Sequence, residues 1–330
     1  MKSGPGACET AVGVPMSATT TACDPHTMRC LEVWGGNQAV DNGVVMAGLD
    51  AWLYSRPYRN QAAGGDIHYV SSCAAGMVTR VLVADVSGHG EAVADAAHRL
   101  RGLMRRYVNY IDQTRFIEGL NAEFSELAES GAFATAVAAT YMALTDKFTV
   151  CSAGHPRPLW YRRRTSVWSL MSDTPDRPPR DCDHPSNIPL GIAGPTRYDQ
   201  FAVSLSTGDL VVLYTDSLIE AKGSDGRPLG EEGLLAIARR LGVADAEEFL
   251  RALLKAIGHH GDSSTDDVTL LILRPNGLKP RKSLPMFLGF VRRMGVAFIE
   301  SLHRGGQEFP ATQSGFFAWL GRLSRRIRGQ

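Results

Sequence analysis

The chain has 330 residues, 44% hydrophobic and 21% charged, with a formal net charge of +1. That composition supplies a sizeable core and excludes a fibrous or wholly disordered chain, and the near-neutral balance argues against a general nucleic-acid binder. The charge is uneven: residues 279–330 hold ten Lys and Arg against two Glu, so an acidic body carries a basic tail. Met1-Lys2 leads into Ser, Gly and Pro rather than an apolar signal core. No run reaches the ~18 apolar residues of a spanning helix. The cysteines (Cys8, Cys23, Cys30, Cys73, Cys151 and Cys182) form no C-x-x-C pair and have no zinc-ligand spacing. They are expected as free thiols in a reducing cytosol.

Residues 1–29, rich in Gly, Ala, Ser, Thr and Pro, read as a disordered segment. A body is expected over 30–276. Residues 49–54 read as a strand, and 67–72 and 79–86 as two strands around a glycine turn. The run at 79–86 is almost continuously apolar, which places it centrally, buried on both faces. Val93, Ala96, Ala97, Leu100, Leu103, Met104, Tyr107, Val108 and Ile111 form one stripe of a helix. Phe116, Ile117, Leu120, Phe124 and Leu127 form the stripe of a second, with Thr114 as its N-cap. From Phe133 the period shortens, and strands at 133–144, 148–153, 159–163 and 167–170 read as an antiparallel meander. Residues 171–189 are a Pro- and Asp-rich loop. Residues 198–205 and 210–214 read as a hairpin around Thr207-Gly208-Asp209. Helical patterns at 231–241 and 246–259 and a last strand at 268–273 complete the body. This order lacks regular β-α-β alternation. The expected fold is therefore α+β, a four-layer α-β-β-α sandwich of two antiparallel sheets flanked by helix pairs.

Four acidic points fall at strand ends or adjoining turns: Asp66, Asp85, Asp216 and the pair Asp266-Asp267. Hard divalent cations take carboxylate, carbonyl and water oxygens, and two such ions ~3.5–4 Å apart can turn a bridging water into a nucleophile. No G-x-S-x-G elbow, C-x5-R loop or Walker A offers another route.

Gly65-Asp66, Asp85-Val86-Ser87-Gly88-His89-Gly90, Ala153-Gly154-His155-Pro156, Tyr214-Thr215-Asp216-Ser217-Leu218-Ile219-Glu220-Ala221 and Asp266-Asp267-Val268-Thr269-Leu270-Leu271 stand in the order seen in the metal-dependent protein phosphatases. Over residues 50–275 the chain resembles that protein phosphatase 2C-like family, and most closely its bacterial RsbU/SpoIIE-type serine phosphatase branch. The resemblance implies the α-β-β-α sandwich and hydrolysis of phosphoserine and phosphothreonine with two Mn²⁺ or Mg²⁺ ions. It implies a phosphorylated protein substrate of the anti-anti-sigma type in partner-switching signalling. It implies that Asp85 bridges both ions and their water, and that the Val86 backbone carbonyl completes one shell. Asp66 supports the second ion, and Asp216 and Asp266 (Asp267 as the alternative) hold the first. The helix pair at 91–130 corresponds to the branch's switch element. One departure stands out: the family usually has Thr-Asp-Gly, and Ser217 replaces the glycine. A positive φ there would cost serine about 1 kcal/mol; an ordinary backbone would make the change silent.

His89 and His155 are accessory candidates, each also readable as a residue that fixes its turn. A second reading keeps the fold as a catalytically weak or inactive binding module in the same signalling system. A third is a metallohydrolase of small phosphoesters, since fold does not determine substrate. Residues 277–330 read as basic amphipathic helices over 284–302 and 314–327, suited to an anionic membrane surface at the inner face or to packing on the body, a partner or a second copy in a homodimer.

Overall fold

A strand with apolar residues on both faces needs cover on both sides, and each of the two sheets here is covered twice. The computed structural model describes residues 26–28, 33–73, 76–87, 91–107, 112–127, 132–172, 186–194, 196–223, 225–243, 245–258 and 266–279. The strands are β1 (His26–Thr27), β2 (Val33–Gly36), β3 (Val40–Val45), β4 (Leu49–Arg56), β5 (Asp66–Cys73), β6 (Val78–Val86), β7 (Ala134–Met142), β8 (Lys147–Ala153), β9 (Leu159–Arg162), β10 (Val167–Leu170), β11 (Gln200–Ser204), β12 (Leu210–Tyr214) and β13 (Val268–Pro275). The helices are α1 (Glu91–Tyr107), α2 (Gln113–Leu127), α3 (Ser217–Glu220), α4 (Gly230–Arg240) and α5 (Ala246–Ala256). A seven-stranded sheet runs β1-β3-β4-β13-β12-β9-β10 and a six-stranded sheet β11-β8-β7-β6-β5-β2. The strand pairings are antiparallel except the short parallel match of β1 with β3.

The two-residue side-chain period sorts the core into three layers. Val81 and Val83 of β6 and Val137 and Ala139 of β7 meet Val211 and Leu213 of β12 and Leu271 and Leu273 of β13 between the sheets. The alternate residues Leu82, Ala84 and Val86 face Leu100, Met104 and Leu120 of α1 and α2. Val212, Tyr214, Leu270 and Ile272 face Leu234 of α4 and Phe249 and Leu253 of α5. Trp168 of β10 stacks on Phe249 with ring centroids 4.8 Å apart, an arrangement that adds to the burial of both rings. The result is the expected four-layer sandwich.

Several expectations need correction. His26–Thr27, within the segment expected to be disordered through residue 29, pairs with β3; residues 1–25 lie outside the described residues. The stretch 198–214 is not a hairpin. β11 pairs with β8 in one sheet and β12 with β13 and β9 in the other, so the Thr207-Gly208 turn carries the chain across the sandwich. Asp209 anchors that crossing, accepting from the N–H groups of Ser206 and Arg163 at 2.9 Å. The expected meander breaks in the same way: β7–β8 and β9–β10 belong to opposite sheets. Asp112 rather than Thr114 caps α2, its Oδ1 accepting from Thr114 N–H at 2.9 Å. Cys151 is a free, buried thiol. No described helix is long and apolar enough to cross a membrane. The amphipathic segments at 284–302 and 314–327 and the residue His89 lie outside the described residues.

Candidate metal centre

At one pole the faces that meet between the sheets change from apolar to polar. Continuing the two-residue period past Val81 and Val83 brings Asp85 onto that face. The same period brings in Asp66 on β5, Thr135 on β7, Ser55 on β4, Thr215 just beyond β12, and Thr269 and Asp267 at the start of β13. Asp66 and Asp85 stand directly opposite each other in the β5–β6 ladder.

Glycine makes the approach to this pole possible. A side chain on Gly64 would collide with the Asp267 carboxylate, and one on Gly65 would press within 2.9 Å of the Val86 carbonyl oxygen. Asp267 is buried, and its two oxygens accept from the backbone N–H groups of Tyr58 and, at 2.6 Å, Gly65. Its own N–H donates to Asp266 Oδ1 at 2.8 Å. Asp267 thus ties the loop before β5 to the start of β13, while Asp266 is the more exposed of the two. Asp66 is buried and accepts at Oδ2 from the Thr215 hydroxyl at 2.9 Å. Asp216 follows with an ordinary right-handed backbone (φ −63°, ψ −24°), and Ser217 opens α3. Serine in place of glycine is therefore silent for the backbone here.

The electrostatics are those of a crowded anionic pole. Burial first, then Asp66, Asp216, Asp266 and Asp267, push the Asp85 carboxyl up to about 10. Burial and then Asp267 hold Asp66 well above the usual carboxylate range. Burial, Glu220 and Asp266 push Asp216 up to about 6. Each carboxylate opposes the ionisation of the others, and a divalent cation among them reverses the sign of that interaction. Among the described residues no three His, Cys, Asp or Glu side chains stand close enough together to hold an ion. The donor set itself, carboxylates beside a strand-end carbonyl, fits a hard cation.

His155 lies behind this pole. Its Nδ1 is 2.8 Å from the Thr135 hydroxyl, and its Nε2 is buried without a hydrogen-bond partner. Burial pushes the imidazole down to about 3, with the Tyr214 backbone acting weakly the other way. The ring is neutral and wedged between the sheets, which favours the turn-fixing reading. A base whose folded value lies below its unfolded value contributes stability that is full above the unfolded value, near 6.5, and is lost as pH falls toward the folded one. Urea denaturation of the wild type and His155→Gln from pH 5 to 8 is expected to show their stability difference flat above pH 7 and shrinking below 6.5. The shrinkage should approach about 1.4 kcal/mol per pH unit. A difference independent of pH would show that the ring is not held neutral.

Residues 76–276 match the model of the SpoIIE family, Stage II sporulation protein E. The chain belongs to that family. The phosphoserine phosphatase RsbU of Bacillus subtilis is 24% identical over 228 residues, which cover 68% of this chain and 63% of RsbU; the match thus spans less than two thirds of that relative's length. The solved RsbU and RsbW domains of a Mycobacterium tuberculosis protein superpose with a TM-score of 0.57 at 24% identity, covering 78% of this chain and 70% of theirs. The PP2C phosphatase domain of Bacillus subtilis SpoIIE, solved with a fragment of its regulatory domain, gives 0.55 at 14% identity, covering 75% and 64%. These superpositions establish the shared sandwich. Within a SpoIIE-family chain, sequence reasoning picked out the carboxylates. It passed over the hydroxyls of Ser55, Thr215 and Thr269 and the clamp role of Asp267. The parity of each strand, extended one residue past its last apolar position, was the signal for them.

Proposed function

We propose that the chain is a divalent-metal-dependent serine/threonine protein phosphatase acting on a small phosphorylated protein of the anti-anti-sigma type. The single observation that carries this reading is the convergence of Asp66 and Asp85 from one sheet with Asp216, Asp266 and Asp267 from the other at one pole. The family match and the name of the RsbU relative support the substrate class, and the RsbW domain in the mycobacterial neighbour supports a partner-switching setting.

In this reading Asp85, Asp216 and Asp266 (or Asp267) would hold one Mn²⁺ or Mg²⁺ ion and Asp85 and Asp66 a second, with the Val86 carbonyl completing one of the two shells. Bound ions of this kind supply Lewis acidity toward the phosphoryl group and an acidified water as nucleophile. The chain's part is to hold its ligands in place. Asp66 is fixed by Thr215, the start of β13 by Asp267, and His155 and the apolar layer behind them keep the floor of the site dry. The alternative is a non-catalytic module of the same fold, for which Ser217 in place of the usual glycine is the one mark in the sequence.

Phosphate release from a phosphoserine peptide and from p-nitrophenyl phosphate separates the two. With Mn²⁺, release is expected from both, and EDTA should return it to background. Release that persists in EDTA would overturn the metal mechanism, and no release with Mn²⁺ on either substrate would favour the module.

A further inference from the structure

The Asp66 carboxylate comes from one sheet, but the groups that hold it come from the other. Thr215 Oγ1 lies 2.9 Å from Asp66 Oδ2. The same oxygen accepts the Thr269 backbone N–H at 3.0 Å, while the Thr215 N–H donates to the Thr269 carbonyl at 3.1 Å. A hydroxyl has a single proton to give. The other acceptors in reach, the Thr269 carbonyl and Ser217 Oγ, are both 3.4 Å away, so the proton goes to Asp66. The Thr269 hydroxyl lies 3.0 Å from Ser55 Oγ on β4. Ser55, Thr269 and Thr215 are all buried. Thr215 also immediately precedes Asp216, so one residue connects a ligand of each sheet.

We propose that Thr215 is a positioning residue for the metal centre. Its hydroxyl, locked by the Thr269 N–H, orients the Asp66 carboxylate at the pole and couples its position to that of Asp216. This rests on the metal-centre reading above. Outer hydrogen bonds to ligating carboxylates commonly contribute 10–100-fold in metal affinity.

The test is Mn²⁺ titration of the full-length protein by calorimetry, beside thermal unfolding in EDTA, for wild type, Thr215→Val and Thr215→Ser. Thr215→Val, near-isosteric but without the hydroxyl, is expected to weaken Mn²⁺ binding about tenfold or more. Thr215→Ser, which restores the hydroxyl, should stay within about threefold of wild type on the same scale. A Thr215→Val protein that melts lower in EDTA yet binds Mn²⁺ as wild type does would overturn the inference and leave Thr215 a structural residue only. If Thr215→Val gives no folded protein, Thr215→Ala is read in the same assay; a weakened Mn²⁺ affinity in the folded variant supports the inference and an unchanged one overturns it. Wild type that binds no Mn²⁺ would instead overturn the metal-centre reading itself.

Discussion

Replacing Asp85 with asparagine is expected to cut metal-dependent phosphate release by on the order of 10³-fold, while leaving the metal-free protein at least as stable as wild type. The two halves of this expectation share one cause. Asp85 is the carboxyl on which the other four bear, and burial adds to their effect. With no cation, its charge is unfavourable in the fold, and asparagine reproduces the shape of the neutral acid without the repulsion. With a cation, that charge becomes the main attraction, and an amide cannot supply it. Thermal unfolding in EDTA should show Asp85→Asn melting at or above wild type. Adding Mn²⁺ should raise the wild-type midpoint and not the variant's, since a ligand stabilises only the state that binds it. A variant keeping a tenth of wild-type activity would remove Asp85 from the centre of the mechanism.

The carboxylates were legible in the sequence because each stands where an apolar strand run stops: Asp85 after Val81 to Ala84, Asp216 after Leu210 to Tyr214, Asp266 just before Val268. Strand existence was legible for the same reason, since a short, nearly continuous apolar run such as β6, β12 or β13 marks a strand covered on both faces. Sheet membership was not. β11 and β12 follow one another around a glycine turn as a hairpin's strands would, yet they lie in different sheets, because an apolar run shows that a strand is covered without naming its neighbour. β3 was missed because Asp41-Asn42-Gly43 lacks the apolar alternation of a half-buried strand; Val44 is its one buried residue with a side chain, and β4 imposes the pairing. The hydroxyls around Asp66 were missed because Thr215 and Thr269 are ordinary strand residues by propensity. Their role exists only through contacts across some 150 and 200 residues of chain.

Asp267→Ala is expected to destabilise the protein by about 2–3 kcal/mol in EDTA, whereas Asp266→Ala should leave stability nearly unchanged and instead abolish or sharply weaken Mn²⁺ binding. The two residues are adjacent and chemically identical, so only their partners separate them. Asp267 is 3% exposed and accepts two backbone N–H groups, from Tyr58 and Gly65. Bonds to a charged acceptor contribute about 1.5–3 kcal/mol each, and alanine would leave both donors unsatisfied in a site with little room for water. Part of that loss is offset, because removing Asp267 also removes a charge that opposes Asp66 and Asp85; this is why the expected net falls below the sum of two such bonds. Asp266 is the more exposed of the two and takes the Asp267 N–H on Oδ1. Urea unfolding in EDTA should show the Asp267→Ala midpoint falling with an unchanged slope, and Mn²⁺ titration should show the larger affinity loss in Asp266→Ala. The reverse pattern, with Asp267→Ala stable but unable to bind Mn²⁺, would exchange the two assignments and place the last ligand one residue further along the chain.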